Sequence, residues 1–174
     1  MLNYDIEICA KQHVNRHVVS QIKEYSQILS TAHRFLDGKK VVGRSISGRK
    51  KIVYQLDDNR DDQLYSATHI NHPSTVWTRE SAENYNWLLN LTIELAKEYT
   101  YRYNKIHKAE HSGLLYDLRF SPNNIQRVSM TKLRLAMPDE FKHDDSVIAY
   151  RNYYNGAKRR LFDWKNREIP DWII

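Results

Sequence analysis

Apolar positions recur at helical spacing over three long stretches of the chain. In residues 15–36 the stripe is Val18, Ile22, Tyr25, Leu29, Ala32 and Leu36, with Asn15 placed to cap it and Asp37-Gly38 to stop it. Residues 79–104 form the second helix, preceded by Pro73, capped by Thr78 and carrying Trp87, Leu88, Leu91, Leu95 and Tyr99. Residues 144–165 form the third, with Val147, Ile148, Tyr150, Tyr154, Leu161 and Trp164 inward and Pro170 after its end. Between the first two, residues 39–56 turn β-like: Val41, Val42, Ile46, Ile52, Val53 and Tyr54 surround a basic loop, 47–51, that contains Gly48, which predicts a small hairpin. Residues 4–9 alternate weakly, as a short strand or extended arm, and the four acidic residues around Asn59 and Arg60 in 57–62 mark a solvated loop. Segments 122–125 and 137–140 read as ordered loops. The expectation is a mainly α fold: a single domain, residues 1–174, of three principal helices with a minor β-hairpin and long ordered loops.

Composition narrows the class without naming a function. With 174 residues, 41% hydrophobic and only 5 Gly and 4 Pro, the chain is long enough for one sizeable core and is not of low complexity. The single cysteine, Cys9, excludes a disulfide within the chain and fits a reducing compartment. No apolar run approaches the ~20 residues of a membrane helix, and Asp5, Glu7, Lys11, His13, Arg16 and His17 break the first twenty residues, so a soluble cytoplasmic protein without membrane contact is expected. The net charge of +6 favours an anionic partner such as nucleic acid.

Candidate chemistry lies first on the first helix. His17 and Glu24, seven apart, fall within about 20° of each other around the axis, in a line with Gln27 and Thr31 at the margin of the apolar stripe. A carboxylate at such a margin suits proton transfer if it is partly desolvated, and is an ordinary surface Glu if it is not. Aromatic and basic residues interleave twice, at Tyr99, Tyr101, Arg102, Tyr103, Lys105, His107 and Lys108, and at Tyr150, Arg151, Tyr153, Tyr154, Lys158, Arg159 and Arg160. Cations neutralise phosphates and aromatic faces stack on exposed bases; the same residues also suit helix ends with tyrosines on the core. His69, Asn71, His72, Trp77 and Arg79 gather where the second helix begins, a place where free N–H groups and a guanidinium could take a phosphate. Cys9, His13 and His17, each four apart, raise a metal reading, but neither a second cysteine pair nor an HExxH pattern accompanies them, and no metal or cofactor is expected.

Three of these segments together resemble the pyrimidine-dimer DNA glycosylases with AP-lyase activity, the phage endonuclease V type: the arm leading into His17-Val-Val-Ser-Gln-Ile-Lys-Glu24, the run Asp37-Gly-Lys-Lys-Val, and the second helix introduced by His72 and containing Ile93-Glu-Leu-Ala. The resemblance covers about the first 105 residues; the remainder, with Met137-Pro-Asp-Glu140 and Tyr150-Arg-Asn-Tyr-Tyr154, resembles phage proteins of the same group. It implies that a terminal amine attacks the sugar C1′ of the damaged nucleotide to give a Schiff base. Glu24 would be the assisting carboxylate, His17 a DNA-contacting histidine, and Lys23 would stand where the family has an arginine. The family's nucleophile is a small residue exposed by loss of the initiator methionine. Leu2 is large, so Met1 is expected to stay and to carry the amine, with Lys11 or Lys23 as substitutes.

The leading expectation is therefore a DNA-repair-type enzyme cleaving the N-glycosidic bond of a damaged or modified pyrimidine, with possible strand cleavage. Its catalytic residues would be Glu24 and Met1, and His17, Lys23, Gln27, His72, Arg79, Arg102, Tyr150, Arg151 and Tyr154 would hold DNA carrying a distorted or extruded nucleotide. Two alternatives keep the scaffold: a phage enzyme that modifies a DNA base, and a DNA-binding protein without catalysis.

Overall fold

The computed structural model describes residues 1–44 and 47–174. The order of elements is α1 (Ile6–Gln12), α2 (Asn15–Asp37), β1 (Lys39–Arg44), β2 (Lys50–Gln55), α3 (Arg60–Gln63), α4 (Pro73–Thr78), α5 (Ala82–Tyr103), α6 (Lys108–His111), α7 (Leu114–Asp117) and α8 (Ser146–Ala157), with 3-10 turns at Asp139–Phe141 and Arg159–Leu161. The fold is mainly α, and its one sheet among the described residues is the antiparallel β1–β2 ribbon. The two long helices α2 and α5 pack on each other, α1 lies across α5, and α4 lies against α2. Val18, Ile22 and Leu29 of α2 and Leu88, Leu91 and Leu95 of α5 share one buried core with Leu2, Val14, Tyr85 and Leu118. Each fully buried leucine in it contributes about 2–3 kcal/mol of transfer free energy. Among the described residues no helix is long and apolar enough to cross a membrane.

The stripe on residues 15–36 is α2, one residue longer than expected, and Val14 rather than Asn15 occupies its cap position. Asn15 is used instead as an acceptor, its Oδ1 taking bonds from Arg102 Nη1 (2.8 Å) and Lys165 N (3.0 Å).

Four expectations need correction. Residues 4–9 are not a strand or arm: Asp5 accepts a bond from Ile8 N at 2.9 Å and starts α1, which turns Cys9 and Ala10 into the core. The second helix is two helices. Thr78 does not cap it, because its Oγ1 donates back to Ser74 O (2.8 Å) inside α4; His72 caps α4 and Ser81 caps α5, accepting from Asn84 N (3.1 Å). The third helix, expected over 144–165, runs only from Ser146 to Ala157, capped by Asp145, which accepts from Val147 N (2.7 Å), and leads into a 3-10 turn. Residues 57–62 are only partly solvated. Asp61 Oδ1 accepts from Arg34 Nη1 (2.5 Å) and Leu56 N (2.9 Å), and the buried Arg34 also donates to the carbonyls of Tyr54, Leu64 and Tyr65. A guanidinium with five donors thus ties the base of the ribbon and the loop after it to α2. The hairpin forms with Val42 opposite Ile52 and Arg44 opposite Lys50; Ile46 of the expected pattern lies outside the described residues.

Candidate active site

The first residues are built into the fold by both ends of the chain. Leu2 is buried, its N–H donates to Cys9 Sγ (3.3 Å) and its carbonyl accepts from Arg151 Nε of α8 (2.9 Å). The sulfur of Met1 accepts from Ser146 Oγ at 3.3 Å. These anchors leave the amino group of Met1 buried beside Cys9 and His13, and burial pushes its pKa below the ordinary terminal-amine value, towards the neutral form.

Met1 forms part of the wall of a pocket of about 170 Å³ with Leu2, His13, His17, Gln21, Tyr25, Tyr150, Tyr153, Tyr154 and Lys158. Its electrostatics favour neutral groups. His13 Nδ1–H donates to Cys9 O (2.6 Å), and burial, with the terminal amine next, pushes its pKa down to about 3. His17 is pushed down to about 4, by burial first and then by Lys158 and Arg16. Tyr154 is held well above the ordinary phenol value by burial, so its hydroxyl stays neutral where it pairs with His17 Nδ1. Burial also raises Tyr25 and Tyr150.

Gln21 connects this pocket to the carboxylate singled out from the sequence. Its Nε2 donates to Glu24 Oε2 at 3.0 Å, one turn along α2. Glu24 itself is exposed and is not the partly desolvated carboxylate that the margin of the stripe suggests, so any catalytic use of it depends on a bound substrate covering it. It forms part of the wall of a neighbouring cleft of about 360 Å³ with Gln27, Ile28, Thr68, His69, His72 and Thr75. Thr31 shapes that cleft by clamping the next segment: its Oγ1 donates to Gln27 O (2.7 Å) and accepts from Thr68 N (3.1 Å). The hydroxyl of Thr75, on the wall of the cleft, is buried without a hydrogen-bond partner.

The expected site residues therefore fall into three groups, with Lys23 apart. Met1, His17, Tyr150 and Tyr154 meet in the first pocket, and Glu24, Gln27 and His72 in the second, with Gln21 between them. Lys23 is exposed on the same helix. The three arginines form the last group and are engaged within the fold: burial takes Arg102 away from a strand, while Arg79 and Arg151 remain half-buried. Arg102 is buried and donates to Glu98 Oε1, His13 O, Asn15 Oδ1 and Lys11 O at 2.6–2.9 Å. Arg79 lies over the Phe35 ring at 4.0 Å and donates to Ile70 O, and Arg151 holds Leu2 and lies over Trp172. A charged side chain at a helix end looks the same in sequence whether it faces water or carbonyls.

Sequence spacing missed Gln21 and Tyr25 as site residues, although both lie a turn or two beyond His17 on α2. Cys9, His13 and His17 do converge, but as hydrogen-bond partners of Leu2, Cys9 O and Tyr154. Among the described residues no group of three or more His, Cys, Asp or Glu side chains is placed to hold a metal ion. Neither a scan against protein-family models nor comparisons with curated proteins and with solved structures finds a match.

Proposed function

We propose that this protein is a DNA-acting enzyme that releases a damaged or modified pyrimidine from its sugar and then opens the strand through an imine on the Met1 amine. The observation that carries the reading is the amine itself: buried, shifted towards its neutral form, and on the wall of a pocket that Gln21 links to a carboxylate. A neutral amine has the lone pair that a nucleophile needs.

In the proposed reaction the amine attacks C1′ and the C1′–N electron pair leaves with the base, which takes up a proton. The C1′–O4′ bond then opens with protonation of O4′, leaving a protonated imine between Met1 and C1′. Removal of a C2′ proton sends that electron pair into a new C=C bond and expels the 3′ phosphate. Water on the imine carbon returns the amine. Glu24 is the acceptor for the C2′ proton and stabilises the cationic sugar, with Gln21 orienting it. His17, with its Nδ1 paired to Tyr154, offers Nε2 to the departing base or an adjacent phosphate.

Borohydride trapping tests the reading on duplexes carrying an abasic site or a pyrimidine dimer. The expected result is a one-to-one covalent adduct that disappears when a Gly-Ser-His extension is placed before Met1, while Glu24→Gln abolishes nicking and leaves DNA binding nearly intact. Absence of an adduct on both duplexes sinks the reading.

A further inference from the structure

The ribbon β1–β2 holds a charge concentration that the pockets do not use. Residues 39–56 contain Lys39, Lys40, Arg44, Arg49, Lys50 and Lys51 and no acidic residue, so this short segment carries as much positive charge as the whole chain does net, +6. Lys39 is answered by a carboxylate, Asp57, at the base of the ribbon. Lys40, Lys50 and Lys51 form no ion pair among the described residues, and all three are exposed. At the far end Arg44 faces Lys50 directly across the ladder, a like-charge pairing that costs stability unless an anion sits beside it.

The ribbon is also uncovered. Its attachment to the body runs through β2, where Tyr54 packs on Phe35 at 5.6 Å, and through the Arg34 bond to Tyr54 O. Beyond that base, Val42 and Ile52 face each other on one side at 75% and 56% exposure, and Lys40 and the Arg44–Lys50 pair flank them on the same side. Two exposed β-branched residues between rows of cations suit neither water nor a purely polar partner. They suit a surface that is apolar at its floor and anionic at its rims.

We infer that this ribbon is a docking element that enters the major groove of duplex DNA. That groove, about 12 Å wide and 8.5 Å deep, admits a two-stranded ribbon; its rims are phosphates and its floor carries thymine methyl groups. Two strands about 4.8 Å apart with side chains on both edges fit between the rims, and six residues per strand extend about 20 Å along it. Lys40 and Lys50 neutralise phosphates while Val42 and Ile52 meet the floor; Lys51, opposite Gly43, lies on the other face. The major groove of duplex RNA is too narrow for such an element. The inference deepens the proposed function by naming the partner surface, and it rests on DNA being the substrate.

The test measures binding of a 20-bp duplex as salt is varied, for the full chain and for the variant Lys40→Ala/Lys50→Ala, with circular dichroism to check that both are folded. Two lost phosphate contacts should lower the slope of log K against log salt by about 1 to 2 and weaken binding at least about fivefold near 0.1 M salt. A Val42→Cys variant, in which the native Cys9 stays buried, should form a disulfide with a thiol tethered on cytosine N4, in the major groove, and not with one on guanine N2. Wild-type protein that binds no DNA overturns the proposed function. Wild-type binding that the lysine variant leaves unchanged overturns the ribbon inference alone, as do crosslinking from guanine N2, an equal loss on duplex RNA, or a lysine-dependent affinity confined to anionic vesicles.

Discussion

The phenol of Tyr154 and the Nδ1 of His17 meet in a hydrogen bond although 137 positions separate them in the chain. The bond joins α8 to the first turn of α2 and orients the imidazole at the wall of the pocket. Tyr154→Phe removes the hydroxyl and leaves a partly buried ring nitrogen without a partner, at a cost of about 1–3 kcal/mol in urea denaturation. On the proposed mechanism it also slows single-turnover base release more than it weakens DNA binding. A variant with wild-type stability would show that the bond does not form.

Acid should unfold the protein before its carboxylates titrate. His13, His17 and His33 have folded pKa values of about 3, 4 and 4, each lowered first by burial from an ordinary 6.5. The unfolded chain therefore binds more protons than the folded one between pH 6.5 and 4, and stability falls as pH falls through that window. Unfolding in urea at pH 5.5 should take up on the order of two to three protons. Denaturation curves that coincide from pH 7 to 4.5 would contradict this.

Arg102 should be needed for folding and not for DNA. Its partner Glu98 is 3% exposed and also accepts from Arg167 Nη2 at 2.8 Å. Burial opposes the Glu98 charge, and the two guanidiniums outweigh it and hold its carboxyl below the usual range. In Arg102→Lys a single ammonium cannot reach four acceptors on three helices and the turn between α1 and α2, so a loss of about 3 kcal/mol is expected. Duplex affinity measured well below the melting temperature should stay within about twofold, the exposed-charge count being unchanged. A large affinity loss with unchanged stability would return Arg102 to the DNA surface.

Gly156 has no room for a side chain. A Cβ there would lie 2.2 Å from Cε1 of Phe141. Gly156→Ala should lower stability by about 1–3 kcal/mol through overpacking. Adding Phe141→Leu should recover part of that loss, and a thermal melt of the two variants decides it.

Helix α2 was legible because its stripe is uninterrupted: Val18, Ile22, Leu29 and Ala32 all go to the core at the expected spacing. Helix α1 was not, because Tyr4, Ile6 and Ile8 imitate strand alternation over too few residues, and Asp5 decides the matter with one capping bond. The break between α4 and α5 was hidden for a related reason. Thr78 and Ser81 both look like caps, and only the position of Asn84, which donates to Trp77 O at 2.7 Å, selects Ser81. At the site, periodicity placed His17 and Glu24 on one side of α2. It could not show that Met1 and Tyr154, from opposite ends of the chain, would close on His17, since tertiary packing alone brings them there. The ribbon's charge is present in the composition, yet the sequence divides its six cations between a hairpin and a basic loop, and only the paired strands make them one surface.

The bond from Arg151 to the carbonyl of Leu2 ties the burial of the amine to a helix 149 positions away. A local opening that lifts α8 from the body would return the amine to water and towards its ordinary protonated form. The proposed nucleophile is therefore kept ready by the docking of α8.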